Sequence, residues 1–220
     1  MSTLFLAQSP SGSLSFEGWS QSTNAGKGYT DRGAVIADPI PADLAFRDLL
    51  GDPVIGCTGA QTFYYASLAI DTGLGAAFVN SGVAVSRSTD GGTTFPSTVV
   101  GVAKDANMHF LDKPWMSVQP GPTASPSDDV LHVTYTDFDF SGFFGSGPCP
   151  DGGRTAVEYV NSTDGGQTWS TPIMLDERCG SQGFLQGSQV EGGPNGTVYA
   201  AWERYSPDLA SRNIQLRAST

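Results

Sequence analysis

The stretch Asp112-Lys113-Pro114-Trp115 sets a carboxylate able to give or take a proton beside a cation and an aromatic face of the kind that stacks on sugars. A surface ion pair beside a core tryptophan would use the same residues. Asp52, Ser188 and Gln189 stand at corresponding places in weaker copies of the surrounding pattern, and together they form a candidate ligand-binding set. A second group, Glu203-Arg204-Tyr205, brings a glutamate and a tyrosine to the end of a strand-like run. Alternation along a strand puts Glu203 and Tyr205 on one side and Arg204 on the other. A solvated strand end is the competing reading.

The remaining chemistry-bearing residues are less pointed. His109 and His132 have no ligand-like neighbours, so no zinc site is expected. Asp128 with Asp129, and Asp137 with Asp139, could hold a structural calcium, with solvated turn residues as the default and no cofactor expected. Cys149 and Cys179 flank one insertion and could form a disulfide in an exported protein; three unrelated thiols, with Cys57, fit equally. Eleven basic residues against twenty-two acidic ones leave a net charge of −11. That balance speaks against nucleic acid and anionic membrane surfaces as partners, since both demand a basic footprint. No apolar run approaches the ~20 residues of a membrane span.

These residues must be positioned by strands. The chain has 28 glycines and 14 prolines, and no stretch keeps a 3.6-residue period over three turns, which predicts an all-β fold. Two stretches repeat in register, Ser88-Thr89-Asp90-Gly91-Gly92-Thr93-Thr94-Phe95 and Ser162-Thr163-Asp164-Gly165-Gly166-Gln167-Thr168-Trp169. A degraded copy carries Asn24, Gly26 and Tyr29, and the final Ser219-Thr220 begins a fourth. Ahead of each box a strand alternates, so that Trp19, Val85, Tyr159 and Leu216 share one column and Glu17, Val83, Val157 and Ile214 another. The aspartate should accept hydrogen bonds from the turn, the glycines should supply positive φ, and the closing aromatic should pack between neighbouring units.

Each unit then reads as four antiparallel strands, which predicts β-propeller blades. The expected division is 1–40 as the end of one blade, 48–105 as a blade, 108–178 as a blade with an insertion, and 184–220 as a truncated blade. Thr220 falls in mid-hairpin, so the sequence is expected to be a fragment of about three blades, missing the rest of its ring.

The boxes resemble the Asp-box, or BNR, repeat of bacterial-type sialidase-like β-propellers, and the strands around Asp112–Val118 and Gly196–Tyr205 look like segments of the same family. The resemblance implies a six-bladed parent, a secreted or cell-surface protein, and an exo-acting glycoside hydrolase on sialylated or related glycans. It also implies a tyrosine nucleophile paired with a glutamate, here Tyr205 with Glu203, an aspartate acid/base, here Asp112, and three arginines on the substrate carboxylate. Asp52, Lys113, Trp115, Gln189 and Arg204 are the expected substrate-binding residues. No arginine lies in the Phe/Tyr-Arg-Ile-Pro motif of that family; Arg47 is merely near the entry to a blade. A non-catalytic propeller that binds glycans or protein partners is the alternative.

Overall fold

A computed structural model describes residues 7–8, 14–35, 48–71, 79–123, 125–150 and 152–219. Arg47 and Thr220 lie outside the described residues. The fold is all-β, a partial β-propeller of four-stranded antiparallel blades. One blade comprises β5 (Asp48–Cys57), β6 (Phe63–Asp71), β7 (Asn80–Ser88) and β8 (Ser97–Asp105) in sequence order. The next comprises β9 (His109–Gln119), β10 (Val130–Asp139), β11 (Arg154–Ser162) and β12 (Ile173–Cys179). A third sheet holds β13 (Phe184–Gly192), β14 (Val198–Tyr205) and β15 (Arg212–Ser219).

Ahead of these, β3 (Gly18–Gln21) and β4 (Thr30–Ala34) form a two-stranded sheet. The short β1 (Ala7–Gln8) and β2 (Leu14–Ser15) attach elsewhere, with β2 running parallel to β5 through Ser15 and Leu49. Among the described residues no helix is long and apolar enough to cross a membrane.

Alternation in each strand sends one face to the sheet before and one to the sheet after, so the core is a series of seams. Tyr64, Val83 and Val102 meet Leu111, Leu131 and Val133 between the two complete blades. Val157, Leu185 and Trp202 fill the following seam. A fully buried leucine such as Leu111 contributes ~2–3 kcal/mol by leaving water. In the last sheet the same alternation leaves Ile214 and Leu216 64% and 70% exposed, because among the described residues nothing packs on that face.

The box turns are closed by side chains. Asp90 Oδ1 accepts from the backbone N–H groups of Thr93 and Thr94 at 3.0 Å each, and Ser88 Oγ donates to it at 2.7 Å. Asp164 accepts from Gln167 and Thr168 N–H at 2.9 Å each, with Ser162 in the place of Ser88. Gly91 and Gly92, at φ 74° and 78°, and Gly165 and Gly166, at 69° and 84°, occupy the left-handed region that favours glycine. In the degraded copy Asn24 Oδ1 accepts from Gly28 N–H at 3.0 Å, and Ala25 must take φ 57° beside Gly26.

Phe95 lies edge-on to Trp19 and Tyr65 in the first seam, and the Trp169 ring packs on Gly101 and Gly166 in the second. Tyr29 is 69% exposed and closes no seam, unlike the other two aromatics.

The acidic pairs are not the solvated turn residues expected. Asp129 is buried and accepts from Thr58 Oγ1 at 2.6 Å and Tyr64 OH at 2.8 Å, tying the two blades together. Asp137 and Asp139 are buried at the top of the same seam. Lys104 Nζ reaches Asp137 at 2.8 Å and Glu158 at 2.7 Å, while Arg154 reaches Asp139 at 3.1 Å. Cys149 and Cys179 are joined, with Cα atoms 5.5 Å apart, which pins the β10–β11 loop to the end of β12; Cys57 is free and exposed.

Candidate functional site

The innermost strands β5, β9 and β13 are each broken by a bulge at the same height. Ladder pairing slips between Gly51 and Val54 on β5, opposite Thr134 and Thr136 on β9, and between Gln186 and Gln189 on β13. One residue in each bulge takes positive φ: Asp52 at 53°, Lys113 at 50° and Gly187 at 67°. Bulges re-aim side chains out of the alternation of a regular strand. Here they turn three corresponding segments toward one another around a cavity of about 260 Å³, lined by Asp52, Pro53, Lys113, Trp115, Ser188 and Gln189 among others.

A polar chain runs across the three strands at this point. Lys113 Nζ donates to Asp52 Oδ1 at 2.9 Å, and Gln186 Nε2 donates to Asp112 Oδ2 at 2.7 Å. The carboxyl groups of Asp52 and Asp112 are close enough to hydrogen-bond to each other. Burial pushes the Asp112 carboxyl above the usual carboxylate range; the facing Asp52 adds to this, and Gln186 only partly offsets it. Burial would raise Asp52 too, but hydrogen bonds from Lys113 and Asp112, with the lysine charge, hold it below that range. Two neighbouring carboxyls driven apart in this way can share one proton, with Asp112 as the acid and Asp52 as the charged partner.

Around the pair, Trp115 is 40% exposed and offers an aromatic face. Ser188 lies at the cavity wall with its hydroxyl buried and without a hydrogen-bond partner among the described residues. A buried unpaired hydroxyl at a cavity wall is suited to a polar ligand group. Asp52, Lys113, Trp115 and Gln189 are thus brought together with Asp112 beside them, and the lysine pairs with Asp52 across the seam instead of with its sequence neighbour.

The other group stands on β14, the neighbour of β13. Tyr205 OH donates to Glu203, Arg212 reaches Glu203 at 3.3 Å, and Glu203 is the ladder partner of Gln186, though neither Glu203 nor Tyr205 lines the cavity. Arg204 turns back into the seam, where it and Trp202 donate to Asp176 at 2.6 and 2.9 Å. Gln186 is the site residue that sequence reading missed. Its signal was the weak alignment of Gly51-Asp52-Pro53-Val54, Asp112-Lys113-Pro114-Trp115 and Gln186-Gly187-Ser188-Gln189, which puts Gln186 in the column of Asp112. No cluster of His, Cys, Asp and Glu suited to a metal occurs among the described residues.

No protein-family model matches the sequence, and no curated protein matches it. Solved structures do resemble the fold. An α-L-arabinanase of Penicillium chrysogenum, complexed with arabinobiose, superposes with TM-score 0.60 at 16% identity over 92% of this chain and 54% of its own. A GH93 α-L-arabinofuranosidase of Fusarium graminearum gives 0.56 at 14% identity with the same coverage, 92% and 54%. A Hadza microbial sialidase gives 0.52 at 17% identity over 77% of this chain and 35% of its own. The chain therefore spans between about a third and about half of the length of these structures.

Proposed function

We propose that the protein is a glycan-processing hydrolase, exported to an extracellular or cell-surface location, whose substrate sits in the cavity between β5, β9 and β13. The observation that carries this reading is the polar chain Gln186–Asp112–Asp52–Lys113, whose two carboxyls are pushed in opposite directions, beside Trp115 and the unpartnered Ser188 hydroxyl. As the glycosidic bond breaks, Asp112 gives its proton to the leaving oxygen; water bonds to the anomeric carbon and returns a proton to the Asp52–Asp112 pair, Asp52 orienting the Asp112 carboxyl by accepting its hydrogen bond beforehand. Asp52 and Asp112 belong to one hydrogen-bonded chain with Lys113 and Gln186, and on this reading the pair works as one acid/base unit. Trp115 stacks on the sugar, and Ser188 and Gln189 bind its hydroxyls.

The likeness in fold to a sialidase, an arabinanase and an arabinofuranosidase supports glycans as the substrate class. The Cys149–Cys179 bridge supports an oxidising compartment. The box turns around Asp90 and Asp164, with Asn24 as their degraded relative, support membership among the Asp-box sialidase-like propellers. Further blades, six in all by that resemblance, belong to the same proposal. Lys113 is the sole cation lining the cavity among the described residues, and it is paired with Asp52. The exo-sialidase form of the proposal therefore depends on cations from outside this set.

The test is hydrolysis of a panel of aryl glycosides that includes an α-sialoside and an α-L-arabinofuranoside, by the wild type and by Asp112→Asn. Turnover of at least one substrate, reduced at least about a hundredfold in the variant, is expected. Full activity in Asp112→Asn would overturn the site. Absence of both turnover and sugar binding would overturn the function, and binding without turnover would favour a glycan-binding propeller.

A further inference from the structure

Glu17 is the one acid in a column whose other members, Val83, Val157 and Ile214, are apolar. Val83 and Val157 occupy its place in the next two seams and are buried there. Glu17 is equally buried, at 4% exposure, and its backbone is fixed on both sides, by Ser15 Oγ to its N–H and by Val35 N–H to its carbonyl oxygen. Tyr65 OH donates to Oε2, while Oε1 has no hydrogen-bond partner among the described residues. A buried carboxyl with one oxygen unused is unfavourable for folding and points to a second purpose.

Oε1 lies 4.0 Å from the point where a side chain on Gly51 would begin. Gly51 holds the blade position that carries Asp112 and Gln186 in the next two blades, the positions that form the acid pair's polar chain. It does not adopt the left-handed φ that would demand a glycine, so what the glycine provides there is room. The titratable groups that face Glu17 are Tyr65 on β6 and Asp52 on β5, with Lys113 and Asp112 behind Asp52 on β9.

We propose that Glu17 is a third carboxyl group of the central site, facing it through the opening at Gly51 and exchanging a proton with Asp52. As Asp112 gives its proton to a ligand oxygen, Glu17 gives one to Asp52, and the Asp52–Asp112 pair keeps a single proton and a single negative charge. The proton returns by the reverse path when the pair is recharged from water. Burial raises the Glu17 carboxyl above its ordinary range; the hydrogen bond from Tyr65 opposes this and the facing Asp52 adds to it. The role as a relay during turnover rests on the hydrolase reading above; the coupling between the carboxyls does not.

Carboxyl carbon NMR titration of the full chain, without ligand, tests the coupling independently of any activity. Glu17 is expected to titrate above the ordinary carboxylate range. In Glu17→Gln the Asp112 midpoint is expected to fall by about half a pH unit, because a negative charge no longer grows beside the pair. Gly51→Ala fits without a clash, since the nearest atom to the added carbon is Oε1 itself, and it is expected to weaken the coupling while leaving the fold intact. A Glu17 midpoint in the ordinary range, or an Asp112 midpoint indifferent to both substitutions, would overturn the proposal.

Discussion

Single residues set the turns on which the blades depend. Hydrogen bonds from the backbone N–H and hydroxyl of Thr94, with Ser88 and Thr93, hold the Asp90 carboxyl down to about 2. The folded-state value lies below the unfolded one, so this stabilisation is complete above the ordinary aspartate range and is lost as pH falls from about 4 toward 2. Asp90→Ala and Asp164→Ala are each expected to destabilise the protein by roughly 1–2 kcal/mol, because the turn N–H groups lose their acceptor. Urea unfolding at pH 7 and at pH 3 measures this, with the gap between wild type and variant narrowing at the lower pH. These aspartates were legible in the sequence because a turn is local, and every partner of Asp90 lies within four positions of it. Glu17 was read only as a member of an alternating column. Nothing local marks Tyr65 as its partner across 48 positions.

At the scale of elements, the bulges do what a regular ladder could not. The alternation gave away the strands and their buried faces, and the four-strand units with it. The slip at Leu50 and the breaks at Pro53, Pro114 and Ser188 were invisible to it, because a one-residue shift in register leaves composition unchanged. Proximity of Asp112, Lys113 and Trp115 in sequence suggested an ion pair between neighbours, whereas Lys113 pairs with Asp52 on the next inner strand. The seam between the two complete blades also depends on one element reaching the next, since Lys104 on β8 neutralises Asp137 on β10 and Glu158 on β11. Lys104→Met leaves Glu158 buried without its cation, while Asp137 keeps Arg154 and His109, and is expected to cost about 3 kcal/mol, read as a lowered midpoint in thermal or denaturant unfolding. Glu158→Gln in the same background is expected to recover part of that loss. An additive double variant would sink the idea that the cluster acts as a unit.

Across the whole molecule, stability accumulates seam by seam, and the face of β15 is the exception. Ile214 and Leu216 hold the positions that Val83 and Val85 bury in the first complete blade. Contiguous apolar surface beside a strand edge favours association. The described chain is therefore expected to self-associate as concentration rises, observable by light scattering on a sizing column. The double substitution Ile214→Lys and Leu216→Lys is expected to return it to a smaller species without lowering its unfolding midpoint.

The three bulges also set chemistry and folding in opposition at fixed addresses. Asp52 and Lys113 hold a backbone conformation that Gly187 adopts without strain, at roughly 1 kcal/mol each for a residue bearing a β-carbon. A search for sturdier variants would thus converge on glycine at 52 and 113 and, in the same stroke, erase the ion pair that polarises the site. The same scaffold read the other way is a mutable one. The backbone keeps its bend whichever side chain occupies those addresses, so a lineage could exchange one ligand for another by rewriting a few codons on three inner strands and leave the apolar seams untouched.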